Sequence, residues 1–218
     1  MIITIDGPAG SGKSSAARAL AVRLGFRFLD TGAMYRAVTL AALRARIDLH
    51  DQDALSRLLD GLRLEMPPGQ VILNGEDVTT QIRTREVTDA SRPIADSRVV
   101  RERLVWMQRE LARGRDIVCE GRDQGTVVFP DAACKFFLGA DPVERARRRQ
   151  REMQARGETA ELDEVLRAQQ ERDARDAARD LGPMIPAEDA VRLDSTALTL
   201  DEVVERMEQR VRAVLTGS

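Results

Sequence analysis

Residues 7–14 read Gly-Pro-Ala-Gly-Ser-Gly-Lys-Ser, and they follow the apolar run Ile2-Ile3-Thr4-Ile5. The segment matches the phosphate-binding pattern G-x-x-x-x-G-K-[ST] in full. A helix-compatible stretch rich in Ala, Arg and Leu begins at once and runs from Ser14 to Leu24. A buried strand, a glycine-rich loop and a helix in this order predict a P-loop rather than a plain turn between strand and helix.

The residue types in this loop suit a bound nucleoside triphosphate. Its glycines allow backbone amides to turn toward a phosphate, and the next helix directs its positive N-terminal end at the same anion. Lys13 can reach the outer phosphates, and the Ser14 hydroxyl can ligate a magnesium ion. The predicted donor-binding residues are Gly7, Pro8, Ala9, Gly10, Ser11, Gly12, Lys13, Ser14 and Ser15, with Ser14 as the metal ligand.

Length and composition indicate one soluble globular protein. The 218 residues are 43% hydrophobic and 32% charged, and no apolar run approaches the length of a bilayer span. We expect a cytoplasmic protein without a signal peptide or a membrane partner, because Cys119 and Cys134 lie in or beside apolar runs and suit buried reduced thiols. The net charge of −2 gives no reason to expect a nucleic acid polymer as partner.

Apolar strand-like runs alternate with helical stretches along most of the chain. The runs lie at 2–5, 26–29, 116–119, 135–138 and 190–193, and the helical stretches at 14–24, 33–46, 98–113, 142–156, 162–180 and 200–215. This alternation predicts an α/β fold with a five-stranded parallel sheet flanked by helices. Asp141 before Pro142, and Thr199 with Glu202, predict the starts of two of these helices.

One segment breaks the alternation. Short strand candidates at 62–66, 71–73 and 77–78 are separated by Pro67-Pro68-Gly69 and Asn74-Gly75. Asn-Gly between apolar runs is a strong hairpin signal. We therefore expect a small antiparallel β insertion at 62–95 in a core formed by 1–61 and 96–218.

Missing signatures narrow the class of P-loop protein. The chain contains neither the Asn-Lys-x-Asp that recognises guanine nor the Leu-Ser-Gly-Gly-Gln of transporter ATPases. Helicases are usually larger and carry an acidic pair at a clear strand end. A compact kinase remains, with a small second substrate held by arginine residues.

Three segments resemble bacterial cytidylate kinases: residues 30–36 (Asp-Thr-Gly-Ala-Met-Tyr-Arg), 120–131 and 171–179. Gly-Arg-Asp-Gln-Gly-Thr-Val-Val-Phe-Pro at 121–130 is close to diagnostic, and the resemblance extends from Ile2 to the final helical stretch. It implies a P-loop NTPase fold and transfer of the γ-phosphoryl group of ATP to CMP or dCMP, with Mg²⁺, by a monomer. It also places the insertion in the monophosphate-binding region. UMP or AMP as acceptor, and a P-loop regulatory ATPase without an acceptor, are the alternatives.

The resemblance also implies which residues bind the acceptor nucleotide. The set is Thr31, Tyr35, Arg36, Ser91, Arg101, Arg122, Asp123, Arg172, Asp176 and Arg179. Arg36 and Arg179 are implied to bind its phosphate, and Arg172 and Asp176 its sugar. By spacing alone, Arg172, Arg175, Asp176 and Arg179 share one helix face, so we expect this face to project and the opposite Ala and Leu face to pack. A solvated helix with internal ion pairs is the alternative.

Asp123 follows an apolar run at its carboxyl end, where α/β proteins place their ligands. An ion pair with Arg122 is the structural alternative. The resemblance implies that Asp123 and Arg101 hold the cytosine ring, with Ser91 nearby.

A second arginine cluster lies on the helical stretch that opens at Pro142. Arg145, Arg148 and Arg149 form it, and Arg147, Arg151 and Arg156 surround it. We expect a mobile lid at 143–158 that brings cations to the transferred phosphoryl group and excludes water, although a solvated helix face is the alternative. Arg148 and Arg149 match the family pattern and are the predicted catalytic lid residues, with Lys13 as the catalytic residue of the loop.

Overall fold

The computed structural model describes residues 1–155 and 157–217. Arg156, which the sequence analysis placed beside the lid cluster, and Ser218 lie outside the described residues. The chain forms two compact units, one of Met1–Phe28 with Arg115–Ser218 and one of Leu29–Gly114. None of the described helices combines the length and the apolar character that a bilayer span requires.

The main sheet is parallel, as predicted, and its strand order places the first strand in the centre. The strands of the described residues are β1 (Ile2–Asp6), β2 (Arg27–Asp30), β3 (Leu64–Glu65), β4 (Ile72–Leu73), β5 (Glu76–Asp77), β6 (Ile117–Gly121), β7 (Cys134–Gly139) and β8 (Val191–Asp194). The five-stranded sheet has the order β2-β6-β1-β7-β8. In its register, Ile5 lies beside Glu120 and Asp6 beside Gly121, so the carboxyl ends of β1 and β6 meet at one edge.

Helices cover the sheet of the first unit and build most of the second. They are α1 (Lys13–Leu24), α2 (Thr31–Arg44), α3 (Gln52–Asp60), α4 (Arg85–Asp96), α5 (Arg98–Ala112), α6 (Pro142–Gln154), α7 (Leu162–Ala177) and α8 (Leu200–Thr216). In the first unit, α1 and α8 bury Leu20 and Met207 against Ile3, Ile5 and Phe136 of the sheet. Both cysteines are buried free thiols, as predicted.

The local signals at helix starts and at the hairpin are confirmed. The Asp141 carboxylate accepts the amides of Val143 and Glu144 at 2.8 and 3.1 Å, and Thr199 and Glu202 form a capping box. β3, β4 and β5 form an antiparallel sheet, and Asn74 and Gly75 adopt φ angles of 51° and 87°. Both angles lie in the left-handed region that a two-residue hairpin turn requires.

The second unit contains two helices that the sequence analysis did not predict. Asp51 caps α3 by accepting the Ala54 amide at 2.9 Å, and Thr84 caps α4 by accepting that of Val87 at 3.4 Å. A 3-10 turn at Gln81–Arg83 leads into α4, so the later part of the 62–95 segment is helical. The assignment of 62–95 as an inserted subdomain stays a prediction.

Candidate active site

The glycine-rich loop leaves β1 at the carboxyl edge of the sheet and packs closely against its own unit. Gly7 has a φ of 147°, and a Cβ atom there would lie 2.2 Å from the Leu138 carbonyl oxygen. Gly10 has a φ of 76°, and a Cβ atom there would lie 2.9 Å from Gln169 Nε2. Backbone conformation therefore favours glycine at both positions, and at Gly7 the Leu138 carbonyl also leaves no space for a side chain.

The helix after the loop presents its amino end without a side-chain cap. Gly12 occupies the N-cap position of α1 with a φ of 86°. A glycine cannot accept the first-turn amides with a side chain, so these amides remain suited to an anion. The predicted residues from Gly7 to Ser15 thus form a turn and a helix start whose amides suit a phosphate, and their binding of one stays a prediction.

Lys13 and Ser14 meet an acidic residue of the neighbouring strand, Glu120. Lys13 Nζ donates to the Pro8 carbonyl oxygen at 3.1 Å and lies 3.9 Å from Glu120 Oε2. Ser14 Oγ donates to Glu120 Oε1 at 2.8 Å. Burial and the neighbouring positive charge of Arg122 together lower the pKa of the Lys13 ammonium to about 7, although Glu120 opposes this shift. Glu120 was not among the residues predicted from the sequence, although an acidic residue at the end of a buried strand was a usable signal.

The Ser14 and Glu120 oxygens fit a hard divalent cation. Magnesium is bound by oxygen ligands and usually keeps water and phosphate ligands, so one hydroxyl and one carboxylate are a sufficient protein share. Within the described residues, no group of three or more His, Cys, Asp and Glu side chains converges on a metal position. A magnesium ion here would therefore take its remaining ligands from the nucleotide and water.

Three arginines surround one buried carboxylate in the first unit. Arg122 Nε donates to Asp176 Oδ2 at 2.9 Å, Arg179 Nη2 lies 2.9 Å from Asp176 Oδ1, and Arg172 Nε is 4.0 Å away. Burial raises the pKa of the Asp176 carboxyl, but Arg122 and Arg179 outweigh it, so the pKa lies below its ordinary value. The cluster carries excess positive charge and suits a phosphate or a sugar hydroxyl next to one.

The helix face predicted around these residues is wrong in two respects. α7 ends at Ala177, so Arg179 reaches Asp176 from beyond the helix. Asp176 is buried, whereas Ala174, Ala177 and Ala178 are exposed. Arg172 and Arg175 are exposed, as expected, but Asp176 on the same face points inward, where Arg122 pairs with its carboxylate.

Asp123 is buried directly after Arg122, at the carboxyl end of β6. Its carbonyl oxygen accepts the amides of Val127 and Val128 at 2.9 and 3.2 Å, in a π-helical turn at Gln124–Val128. Arg122 donates one hydrogen bond from Nε to the Asp176 carboxylate and one from Nη1 to the Gly121 carbonyl oxygen. Asp123 thus lies at the carboxyl edge of the sheet, where a ligand is expected.

The predicted lid arginines differ in how they are held. Arg145 is buried and donates from Nη1 to Asp173 Oδ2 and to the Ala9 carbonyl oxygen, the latter at 3.0 Å. Arg148 donates to Ser195 Oγ at 3.0 Å and to the Ser195 carbonyl oxygen at 2.7 Å. Arg149 pairs with the exposed Glu152 at 3.2 Å. The first part of α6 is therefore tied to the loop and to the residues after β8.

These contacts yield a prediction for amide hydrogen exchange along α6. Amides of residues 143–148 should exchange slowly with or without nucleotides, because Arg145 anchors this part of the helix. Amides of residues 149–155 should exchange fast in the free protein and slow down with a bisubstrate analogue that joins ATP to CMP. Equal protection of 149–155 in both states would identify α6 as a rigid structural helix rather than a lid.

In the second unit, the Asp30 carboxylate pairs with two arginines at the start of α2. Its carboxylate accepts the Ala33 amide at 2.8 Å, Arg36 Nη2 at 3.4 Å and Arg83 Nη2 at 3.3 Å. Thr31 is buried and Tyr35 half-buried in the same first turns of α2. The structure thus brings the predicted Arg36 together with Arg83, which the sequence analysis missed.

Ser91 and Arg101 lie on different helices of this unit. Ser91 Oγ donates to the Thr88 carbonyl oxygen at 2.7 Å, within α4. Arg101 is buried on α5. Their predicted contacts with a base stay predictions.

Comparison with known proteins places the chain in a family. The cytidylate kinase family model matches residues 3–213. A cytidylate kinase of Rhodopirellula baltica is 48% identical over 218 residues, which cover 100% of this chain and 95% of that protein. One of Desulforamulus reducens is 50% identical over 205 residues, covering 93% and 92%. A crystal structure of an uncharacterized protein from Eubacterium ventriosum covers 98% of each chain with a TM-score of 0.53 and 15% identity, and it supports the fold alone.

Proposed function

The chain belongs to the cytidylate kinase family and transfers the γ-phosphoryl group of ATP to CMP or dCMP, and we propose that the residues described above carry out this transfer. The arrangement of Lys13, Ser14 and Glu120 around the amino end of α1 is the observation that supports the assignment most strongly. It combines a phosphate-binding turn, a buried cation and oxygen ligands for a metal. These are the parts that phosphoryl transfer requires.

The donor nucleotide lies on the loop. The amides of the residues from Gly7 to Ser15 hold the ATP phosphates, and Lys13 contacts the group being transferred. Ser14 would ligate Mg²⁺, with Glu120 close enough to hold the ion directly or through water. When bound, the metal neutralises the developing charge on the phosphate oxygens.

The residues proposed to bind the acceptor nucleotide are those that the family resemblance implies. In the first unit, Arg122 and Arg179 bind its phosphate, while Arg172 and Asp176 bind its sugar and Asp123 reads the cytosine amino group. In the second unit, Arg36 binds the phosphate, and Thr31, Tyr35, Ser91 and Arg101 line the nucleotide.

The transfer needs positioning and charge neutralisation rather than a general base. The attacking oxygen of the acceptor phosphate is already ionised at neutral pH, so no proton has to be removed from it. Arg148 and Arg149 of α6 bring positive charge to the transferred phosphoryl group once the substrates are bound. Arg149 is half-buried and pairs with the exposed Glu152, whereas Arg148 must leave Ser195 to act in this way.

We expect nucleotide binding to draw a proton from solution at pH 8. The pKa of Lys13 is about 7 in the free protein, so at pH 8 the Lys13 side chain is neutral in most of the protein molecules. The negative triphosphate raises that pKa, and Lys13 becomes charged on binding. Calorimetric titration with MgATP in buffers of different ionisation enthalpy should show uptake approaching about one proton. Lys13→Arg, which stays charged at every pH used, is the control and should abolish the proton uptake. If the heat of binding to the unmodified protein does not depend on the buffer, the assignment of Lys13 to the bound triphosphate is contradicted.

An acceptor panel tests the proposed function. ADP release from MgATP is measured with CMP, dCMP, UMP, AMP and shikimate. We expect turnover to depend on CMP or dCMP and to be much lower with the other acceptors. Equal turnover with UMP or AMP would contradict cytosine specificity, and turnover independent of every acceptor would favour a regulatory ATPase.

For location and assembly we propose a cytoplasmic monomer. The two buried thiols suit a reducing compartment, and the substrates are small nucleotides rather than a polymer or a membrane. Light scattering of the purified protein should give a mass close to the 24.2 kDa of one chain.

A further inference from the structure

The π-helical turn after Asp123 is anchored by a residue that the mechanism does not use. Asp6, the last residue of β1, is buried, and both of its carboxylate oxygens face this turn. Oδ1 accepts the Gln124 amide at 2.9 Å, and Oδ2 accepts the Gly125 amide at 2.8 Å. The two amides at the start of the turn are thus satisfied from outside it.

The turn also lies directly on β1. A Cβ atom at Gly125 would lie 2.9 Å from Thr4 Oγ1 and 3.4 Å from Asp6 Oδ2. Any side chain at this position would push the turn away from the strand. The turn can therefore approach β1 because residue 125 has no side chain, and the hydrogen bonds to the Asp6 carboxylate hold it there.

Asp6 holds the chain on both sides of Arg122 and Asp123. Its backbone pairs in register with Gly121, the residue before them. Its side chain holds the amides of Gln124 and Gly125, the residues after them. The two-residue segment between these anchors has little freedom to shift.

The Asp6 carboxylate is buried although burial disfavours its charged form. Burial raises the pKa of Asp6 to about 6, although the two amides and Arg122 lower it. A buried carboxylate is a costly way to satisfy two amides, because desolvation of the charge opposes it. Its presence indicates that the position of the turn matters for more than packing.

We propose that Asp6 is a positioning residue for acceptor recognition, which it serves by fixing Arg122 and Asp123 through the π-helical turn. The inference rests on the proposed function, since it takes Asp123 to read the base and Arg122 to bind the acceptor phosphate. Asp6 directly precedes the donor loop and its charge also acts on Lys13, but its side-chain hydrogen bonds go to the turn after the acceptor residues.

Asp6→Asn tests this assignment. Asparagine has nearly the same shape and keeps one acceptor oxygen, but its NH₂ group cannot accept the second amide. We expect the KM for CMP to rise about tenfold or more, because small displacements of binding residues have large effects. The KM for ATP should change by less than about twofold, and the ratio of kcat/KM for CMP over UMP should fall. Asp116→Asn, which alters an exposed carboxylate beside β6, is the control and should leave all three values unchanged.

The outcomes separate the possible roles. If the KM for CMP and the KM for ATP rise together, Asp6 acts through the donor loop and the proposal is overturned. If neither KM changes, the proposal is also overturned. If Asp6→Asn does not fold, Gly125→Ala displaces the same turn and should produce the same split between the two KM values; an unchanged KM for CMP in that variant would also overturn it. Failure of the unmodified protein to turn over CMP would instead reject the proposed function itself.

Discussion

Replacing Lys13 by alanine is expected to lower kcat for phosphoryl transfer by roughly 10²–10³-fold or more. The Lys13 ammonium is buried at the rim of the loop, 3.1 Å from the Pro8 carbonyl oxygen. A preorganised cation in a water-poor site stabilises the charge that develops on the transferred group, and water cannot replace it without reorganising. Steady-state kinetics with MgATP and CMP measure the loss.

The fold should survive this substitution. Lys13 makes one hydrogen bond to a carbonyl and a loose 3.9 Å pair with Glu120, and Glu120 keeps its bond from Ser14. Circular dichroism and thermal unfolding should therefore resemble those of the unmodified protein. Arg23→Ala, which removes an arginine from the other end of α1, is the matched control and should retain full kcat. A folded Lys13→Ala protein with near-normal turnover would disprove the role assigned to the loop.

Asp123→Asn should lower kcat/KM for CMP and narrow its advantage over UMP. Cytosine presents an amino donor where uracil presents a carbonyl, and a carboxylate accepts from the first and repels the second. A buried carboxylate facing a carbonyl loses a hydrogen bond worth about 1–3 kcal/mol, which corresponds to roughly 5- to 150-fold. Asparagine can offer its NH₂ group to the uracil oxygen, so the variant should accept UMP more readily.

The comparison requires both acceptors and two further variants. Asp131→Asn changes an exposed carboxylate in the same stretch of chain and should leave the CMP to UMP ratio unaltered. Arg101→Ala should weaken both acceptors, since it removes a contact that does not distinguish their bases. An unchanged ratio in Asp123→Asn would make Asp123 a structural residue and leave cytosine specificity without a source.

The loop and the parallel sheet could be predicted because their signals are local. The glycines at 7, 10 and 12 fix the backbone of the turn within eight residues, and the apolar runs mark the strands of the main sheet. The hairpin at Asn74-Gly75 and the caps at Asp141 and Thr199 are local in the same way. Each of these features needs no knowledge of a distant partner.

The contacts of Glu120 and Arg83 were missed because they depend on distant pairings. Glu120 meets Ser14 because β6 pairs with β1, and these residues are 106 positions apart in the chain. Arg83 meets Asp30 across 53 positions. Neither pairing can be obtained from periodicity alone.

The helix errors have similar physical causes. α4 was missed although Val87 and Ile94 are buried seven positions apart, because Pro93 lies inside it and proline usually ends a helix. The exposed face of α7 was misassigned because Arg122, 54 positions from Asp176, decides where that carboxylate points. In both places tertiary contacts outweigh the local preference.

Label transfer from ATP tests the central claim most directly. The protein is incubated with ATP labelled in its γ-phosphoryl group, with Mg²⁺ and with or without CMP, and the labelled products are separated. We predict that the label appears in CDP when CMP is present and that little inorganic phosphate forms without it. Release of the label as inorganic phosphate at the same rate with and without CMP would contradict the account, because it would identify a hydrolase rather than a kinase.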